Sequence, residues 1–411
     1  MYITKTIAWL PCIFIPLQEA NAVTVEVMVK AWSVYESKEK NGMSHFLEHM
    51  FFKWWKIYKT PKDVAQAIES FGWHSNAYTG FENAWYYIKS APSHVYKALD
   101  ILSDMIVNPS FHEPEMEREK WVVIQEIAMY EDSPQELVMD KRRTWFFGEN
   151  SYGREILGPA ENVRSFTQAD LFEHKKDLYT KDNMILVISG KITDQQDLEK
   201  HIAASFATLW DTKNYVKPMF EEYTPASAIW FYKKDISQNH LVISARWLAY
   251  PDDKKYAAKI LSTILWWNMS SRLYQNVREK HGLCYYIGAS HSSSPDYGTF
   301  YIRAGMDKDK FSFWVEKIFE EVAHLTTWWI SDQEFDTAMW YTLGSLQMWI
   351  ETTSSYASFY WNQFLMYNSI KEMKDLIERY KKITKKDVED VLSYFAKENL
   401  FLYYVGNEEV L

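Results

Sequence analysis

Gly42-Met43-Ser44-His45-Phe46-Leu47-Glu48-His49-Met50-Phe51-Phe52 is apolar enough to be a buried helix, yet it carries three groups that a buried helix ordinarily avoids. Read as a helix from about Ser44 to Lys53, it sets His45 and His49 one turn apart on one face, so both imidazoles reach the same point. Glu48 follows His45 by three residues and adjoins His49, so its carboxylate borders that point. Two imidazoles and a carboxylate crowded together are costly without a partner. A metal ion is such a partner. Two neutral imidazoles are zinc ligands, and a carboxylate left free can take a proton from the bound water. The order His-x-x-Glu-His is the reverse of His-Glu-x-x-His and serves the same chemistry.

A catalytic zinc needs a third protein ligand and keeps a fourth position for water. The long helix expected over Glu113–Glu131 offers Glu115, Glu117, Glu119 and Glu126. Glu115 and Glu117 stand in its first turn, where they suit the helix dipole, and read as solvated. Glu119 and Glu126 lie two turns apart on one face, beside Val122 and Val123. That face is half apolar, so a carboxylate on it needs a reason to be there.

The 411 residues suffice for two or three domains, and 47% hydrophobic with 24% charged residues is a globular composition. A net charge of -10 argues against nucleic acid, which wants a basic footprint, and is compatible with attracting basic peptides. Cys12 and Cys284 give neither a disulfide framework nor a cysteine zinc site. Ala8–Phe14 is apolar but short and broken by Pro11, a poor core for a secretion signal. No apolar run is long enough to span a membrane. A soluble, cytoplasmic protein with no membrane partner is the expectation.

Glycine is scarce, at 13 residues or roughly 3% against about 7% in ordinary proteins, while tryptophan reaches 19. Trp54-Trp55, Trp266-Trp267 and Trp328-Trp329 are adjacent pairs. Trp32 and Trp73 fall in turn-like settings, Ala31-Trp32-Ser33 and Phe71-Gly72-Trp73-His74. Our hypothesis is that a codon read as glycine by the source organism stands here as tryptophan.

Along the chain, Thr24–Val29 alternates as a strand. Thr60 and Pro61 open a helix as N-cap and first residue, running to Phe71. Asn76–Thr79 and Ala84–Lys89 read as paired strands, Val95–Val107 and Asp170–Leu178 as helices, and Met184–Ser189 as a buried strand. The pattern then repeats. Thr167-Gln168-Ala169-Asp170 and Thr384-Lys385-Lys386-Asp387 are both capping boxes. Lys181–Gly190 matches Lys397–Gly406 at nearly the same offset, 216 against 217 residues. His240–Ala245 and Phe311–Leu325 supply the second copy's early strand and the counterpart of helix 95–107. Two copies of one α+β unit fill the chain. The polar stretch Asp211–Ala226, with Pro218 and Pro225, divides it into domains 1–215 and 216–411.

With these residues the chain resembles the pitrilysin/insulinase superfamily of zinc peptidases, in the short form typified by the mitochondrial processing peptidase catalytic subunit and its bacterial relatives. The family pattern is His-x-x-Glu-His, then 76 residues, then a glutamate. Counted from His49, that glutamate is Glu126. The resemblance implies one zinc per chain, held by His45, His49 and Glu126, with Glu48 as general base and Glu119 in support. It implies two homologous domains, each a mostly antiparallel sheet with helices on one face. It places Asn76 and Ala77 on an edge strand that pairs with the substrate backbone. It also brings Arg278 and Tyr285, within Arg278-Glu279-Lys280-His281-Gly282-Leu283-Cys284-Tyr285, from the opposite half of the enzyme to the substrate. Residue types alone would make Arg278 a surface residue and Tyr285 the start of a strand.

The activity implied is that of a zinc metalloendopeptidase, cleaving peptides or unfolded segments with a zinc-bound water activated by Glu48. Relatives close two halves of this size around a chamber, so a homodimer is expected. The alternatives are a heterodimer with a non-catalytic paralogue and a non-enzymatic assembly subunit. The chain departs from the family at Trp54-Trp55, and at Trp266-Trp267 ahead of Asn268-Met269-Ser270-Ser271, where relatives carry glycines.

Overall fold

The computed structural model describes residues 2–30, 33–53, 55–70, 74–211, 217–282, 284–327 and 330–411. Trp32, Trp54, Trp73, Trp328 and Trp329 lie outside the described residues. The chain forms two compact units.

The first unit comprises Met1–Ala128, Arg154–Met219 and Ile350–Ile370. Its six strands are β1 (Ile3–Ile7), β2 (Leu10–Pro16), β3 (Val23–Val29), β4 (His74–Thr79), β5 (Ala84–Ser90) and β6 (Met184–Gly190). They lie in the order β1-β2-β6-β3-β5-β4. Only β2 and β6 run parallel; the other neighbours are antiparallel. Val23, Val25, Val27 and Val29 alternate into a core shared with Phe46, Leu47, Leu99 and Leu102 from helices Met43–Phe51 and Val95–Val107. The helix expected to reach Phe71 is formed over Pro61–Glu69, with Thr60 accepting from the Asp63 amide as its N-cap.

The second unit comprises Met129–Gly153, Phe220–Trp349 and Lys371–Leu411. Its strands are β7 (Ile229–Lys233), β8 (Gln238–Trp247), β9 (Cys284–Ser293), β10 (Gly298–Asp307) and β11 (Leu400–Gly406), in the order β7-β11-β8-β10-β9. Again one neighbouring pair, β7 and β11, is parallel and the rest antiparallel. Five strands of the first sheet, β2-β6-β3-β5-β4, thus have counterparts in the same order and sense. Both capping boxes read from the sequence are formed, Thr167 with Asp170 and Thr384 with Asp387. The fold is the duplicated α+β arrangement.

Each sheet carries a helix on its second face as well, and that helix comes from the other half of the sequence. Helix Thr353–Tyr367 packs on β3, β6 and β2, and Thr24 Oγ1 lies 2.8 Å from Thr353 Oγ1. Helix Pro134–Phe147 packs on β8 and β11, where Leu137 and Val138 join Val242, Tyr403 and Val405. The reason is visible in Met184-Ile185-Leu186-Val187-Ile188. A strand apolar on both faces must be covered on both.

The β1–β2 hairpin turns on Ala8 and Trp9, both at positive φ (48° and 71°). Two consecutive positive φ values are what a type I′ turn requires, and its second position favours glycine. Trp9 stands there 79% exposed. Trp55, by contrast, is fully buried and donates through Nε1 to the Phe51 carbonyl. Peptide mass spectrometry of the native protein is expected to read glycine at positions 9, 54 and 55. Tryptophan at 54 and 55 would end the codon hypothesis. No helix among the described residues is long and apolar enough to cross a membrane.

Candidate metal centre

The helix that carries the His pair, Met43–Phe51, starts at Gly42, whose φ of 98° is left-handed. A Cβ there would sit 2.3 Å from the Leu157 carbonyl oxygen, so the position requires glycine. Gly42 has no side chain to cap the helix, and Glu36 does so from six residues upstream. Its carboxylate accepts from the Gly42 amide at 2.8 Å, the Ser44 amide at 2.6 Å and Asn41 Nδ2 at 3.1 Å. Burial pushes the Glu36 carboxyl up, and these donors oppose it by favouring the charged form that suits a helix N-terminus. Sequence reading missed Glu36. The signal available was an acid shortly before a glycine with no Ser, Thr or Asp at the cap.

From this anchored helix His45 and His49 project toward Glu126 on helix Glu113–Asp132. His45 Nε2 lies 3.7 Å and His49 Nε2 3.3 Å from Glu126 Oε2, and one ligand atom from each of the three falls within 4.8 Å of the others. Ligand atoms around a tetrahedral zinc with bonds of ~2.0–2.1 Å stand about 3.3 Å apart. The donor set and its spacing therefore fit such an ion. On its other side, His49 Nδ1 lies 2.8 Å from Glu119 Oε1, while Lys53 Nζ meets Glu119 Oε2 at 2.6 Å. A ring nitrogen fixed by a carboxylate leaves the opposite nitrogen aimed at the ligand position.

Electrostatics separates the two histidines. Burial, with the neighbouring His49 charge, lowers His45 to about 4 despite Glu126, so its ring is neutral at ordinary pH. Burial would lower His49 too, but Glu119 and Glu126 outweigh it and raise this ring to about 9. Glu126 and Glu119 are held below the usual carboxylate range. For Glu126 the His49 hydrogen bond leads; for Glu119, His49 and Lys53 overcome an opposing burial. Glu48 shifts the other way. Burial raises it, against a hydrogen bond from Thr79 and the charge of His49.

The structure thus brings His45, His49, Glu126, Glu119 and Glu48 into one cluster. Asn76 and Ala77 lie on β4, the edge strand of the sheet, where Asn76 Oδ1 accepts from the Ala77 amide at 2.9 Å. Glu115 and Glu117 pair with Arg118 and Lys120 on their own helix. Arg278 and Tyr285 belong to the second unit. The Arg278 guanidinium lies over the Tyr274 ring, 5.0 Å from its centre, and Tyr285 is 73% exposed on β9, the counterpart of β4.

Comparison with known proteins agrees with this picture. The family described as "Insulinase (Peptidase family M16)" matches residues 14–160, and "Peptidase M16 inactive domain" matches residues 165–341. The second match falls on the half without a His-x-x-Glu-His. An uncharacterized zinc protease of Bacillus subtilis is 34% identical over 82% of this chain and 81% of its own. A probable mitochondrial-processing peptidase subunit beta of Arabidopsis thaliana is 39% identical over 44% of this chain and 34% of its own. Among solved structures, a protease from Helicobacter pylori superposes with a TM-score of 0.89 at 20% identity, covering 99% of both chains. From the matched family, the extent of the Bacillus relative and the shared duplicated fold, the chain belongs to the insulinase family of peptidases, family M16.

Proposed function

We propose that this protein is a zinc-dependent endopeptidase acting on peptides or unfolded segments. One observation carries the reading: His45, His49 and Glu126 converge on one point, and a further carboxylate, Glu48, borders it without being needed as a ligand. His45 and His49 would hold the ion through Nε2 and Glu126 through Oε2, one zinc per chain. Glu119 holds the His49 ring in line, and Lys53 offsets the Glu119 charge. When bound, zinc supplies a water acidic enough to ionise near neutral pH and a Lewis acid for the scissile carbonyl. Glu48 accepts the proton of the attacking water and returns it to the leaving amine.

The substrate would lie extended along the outer edge of β4 and add to the sheet as a strand. Asn76 and Ala77 would meet it there, once Asn76 Oδ1 releases the Ala77 amide. We further propose that the enzyme works as a homodimer, in which Arg278 and Tyr285 of one copy reach the substrate held by the other. A guanidinium and a phenol are donors suited to a developing oxyanion. The Arabidopsis relative is named as a subunit, which favours a heterodimer with a non-catalytic chain as the second reading.

The test is cleavage of a peptide mixture by the zinc-loaded protein, with and without a chelator, together with a native mass measurement. Cleavage is expected to stop on chelation and return with zinc, and the native mass to be twice the 48.9 kDa chain. A zinc-loaded protein that cuts nothing would overturn the peptidase reading. A single-chain mass would overturn the homodimer.

A further inference from the structure

We propose that Thr79 is a positioning residue for Glu48, fixing the proton-accepting carboxylate to the same strand that would pair with the substrate. The proposal rests on the peptidase reading of this site and adds to it a residue that neither spacing nor resemblance singled out.

Thr79 is the last residue of β4, and its side chain is buried. Its Oγ1 donates to Glu48 Oε2 at 2.5 Å, and among the described residues it is the one hydrogen-bond donor to that carboxylate. The donor is firmly held. Thr79 pairs with Ala84 of β5, and the next amide, Gly80 N–H, donates to the Asn83 carbonyl at 2.8 Å to close the turn. A β-branched side chain in a strand has little χ1 freedom, so backbone position sets hydroxyl position. Glutamate is the opposite case. Three rotatable bonds separate its carboxylate from the helix, and holding them in one arrangement costs entropy. A threonine has one hydroxyl proton, and here it secures one carboxylate oxygen and leaves the other available to a water.

The placement matters as much as the bond. Ala77, expected to meet the substrate backbone, is two residues from Thr79 on the same face of the same strand. The element that would register the substrate therefore also carries the group that aims the base. Loss of the hydroxyl should disturb the chemical step and leave peptide pairing along the edge intact.

Thr79→Val keeps the shape and removes the donor, whereas Thr79→Ser keeps the donor. With both variants zinc-loaded, Thr79→Val is expected to lose roughly 10²-fold in kcat, as misplacement of a reacting group does. KM, zinc content and thermal midpoint should stay near wild type, and Thr79→Ser should recover most of kcat. Crystal structures of the zinc-loaded wild type and Thr79→Val should show the Glu48 carboxylate swung away from β4 in the variant alone. Four results would overturn the proposal: wild-type kcat in Thr79→Val, an equal loss in Thr79→Ser, a loss expressed in KM or zinc content, or an unmoved Glu48. If the wild type itself cleaves nothing, the peptidase reading falls, and the position of Glu48 in the two crystal structures still decides the role of Thr79.

Discussion

Glu48→Gln is expected to keep its zinc and to lose turnover by roughly 10²–10⁴-fold, the usual contribution of a positioned proton acceptor. The substitution changes little else. The amide oxygen of glutamine can still accept from Thr79 Oγ1, and the three proposed ligand atoms belong to His45, His49 and Glu126. What disappears is basicity. Burial already lifts the Glu48 carboxyl above its ordinary range, toward the value an efficient base needs near neutral pH, while Thr79 and His49 keep it from rising further. The check is zinc content by atomic spectroscopy beside kcat on one peptide. Turnover close to wild type would remove Glu48 from the mechanism; loss of zinc along with turnover would mean that it serves the metal instead.

Zinc affinity is expected to climb by more than about tenfold for each pH unit between about 7 and 9 and less steeply above, because beyond the proton that the bound water sheds, one proton must leave the site itself. That proton is on His49, which the carboxylates of Glu119 and Glu126 hold at about 9 against burial. At pH 7 its Nε2 is protonated and closed to the metal. His45, held at about 4, is already neutral and costs nothing. Titration calorimetry in buffers of different ionisation enthalpy measures the count directly: between about one and two protons released at pH 7 to 8, falling toward one at about pH 10, where only the bound water still loses its proton. Release of no more than the water's proton at every pH would show that His49 is already neutral in the metal-free site. The sign for the metal-free fold follows from the same shift. A ring whose folded value is raised contributes stability that is complete below its unfolded value of about 6.5 and is lost as pH rises through 9.

Helical spacing made the His pair readable, because residues four apart must share a face whatever the rest of the fold does. Glu126 was not readable in that way. Its 76-residue separation from His49 reflects tertiary packing, and only resemblance to a family selected it over Glu119. The duplication was legible because capping boxes are local and were both kept. Strand order was not, since nothing local in β2 or β7 announces a parallel neighbour. The covering helices were half legible. The unbroken apolar run of β6 demanded something on both faces, but no local signal pointed to Thr353–Tyr367 as the answer. Glu36 and Thr79 escaped for a common reason: each acts on the metal helix from a segment remote in sequence, where periodicity says nothing.

The covering helices also set a timetable for biosynthesis. A ribosome that has delivered β1 through β6 has made every strand of the first sheet, yet Ile185 and Val187 still lack their lid until residue 367 emerges. The amino-terminal half therefore cannot mature as it is translated. It waits, with a sticky side exposed to chaperones, for nearly the entire message to be read. A gene cut at residue 215 would yield a fragment that clumps, and adding back a peptide spanning residues 350–370 is the cure this architecture prescribes.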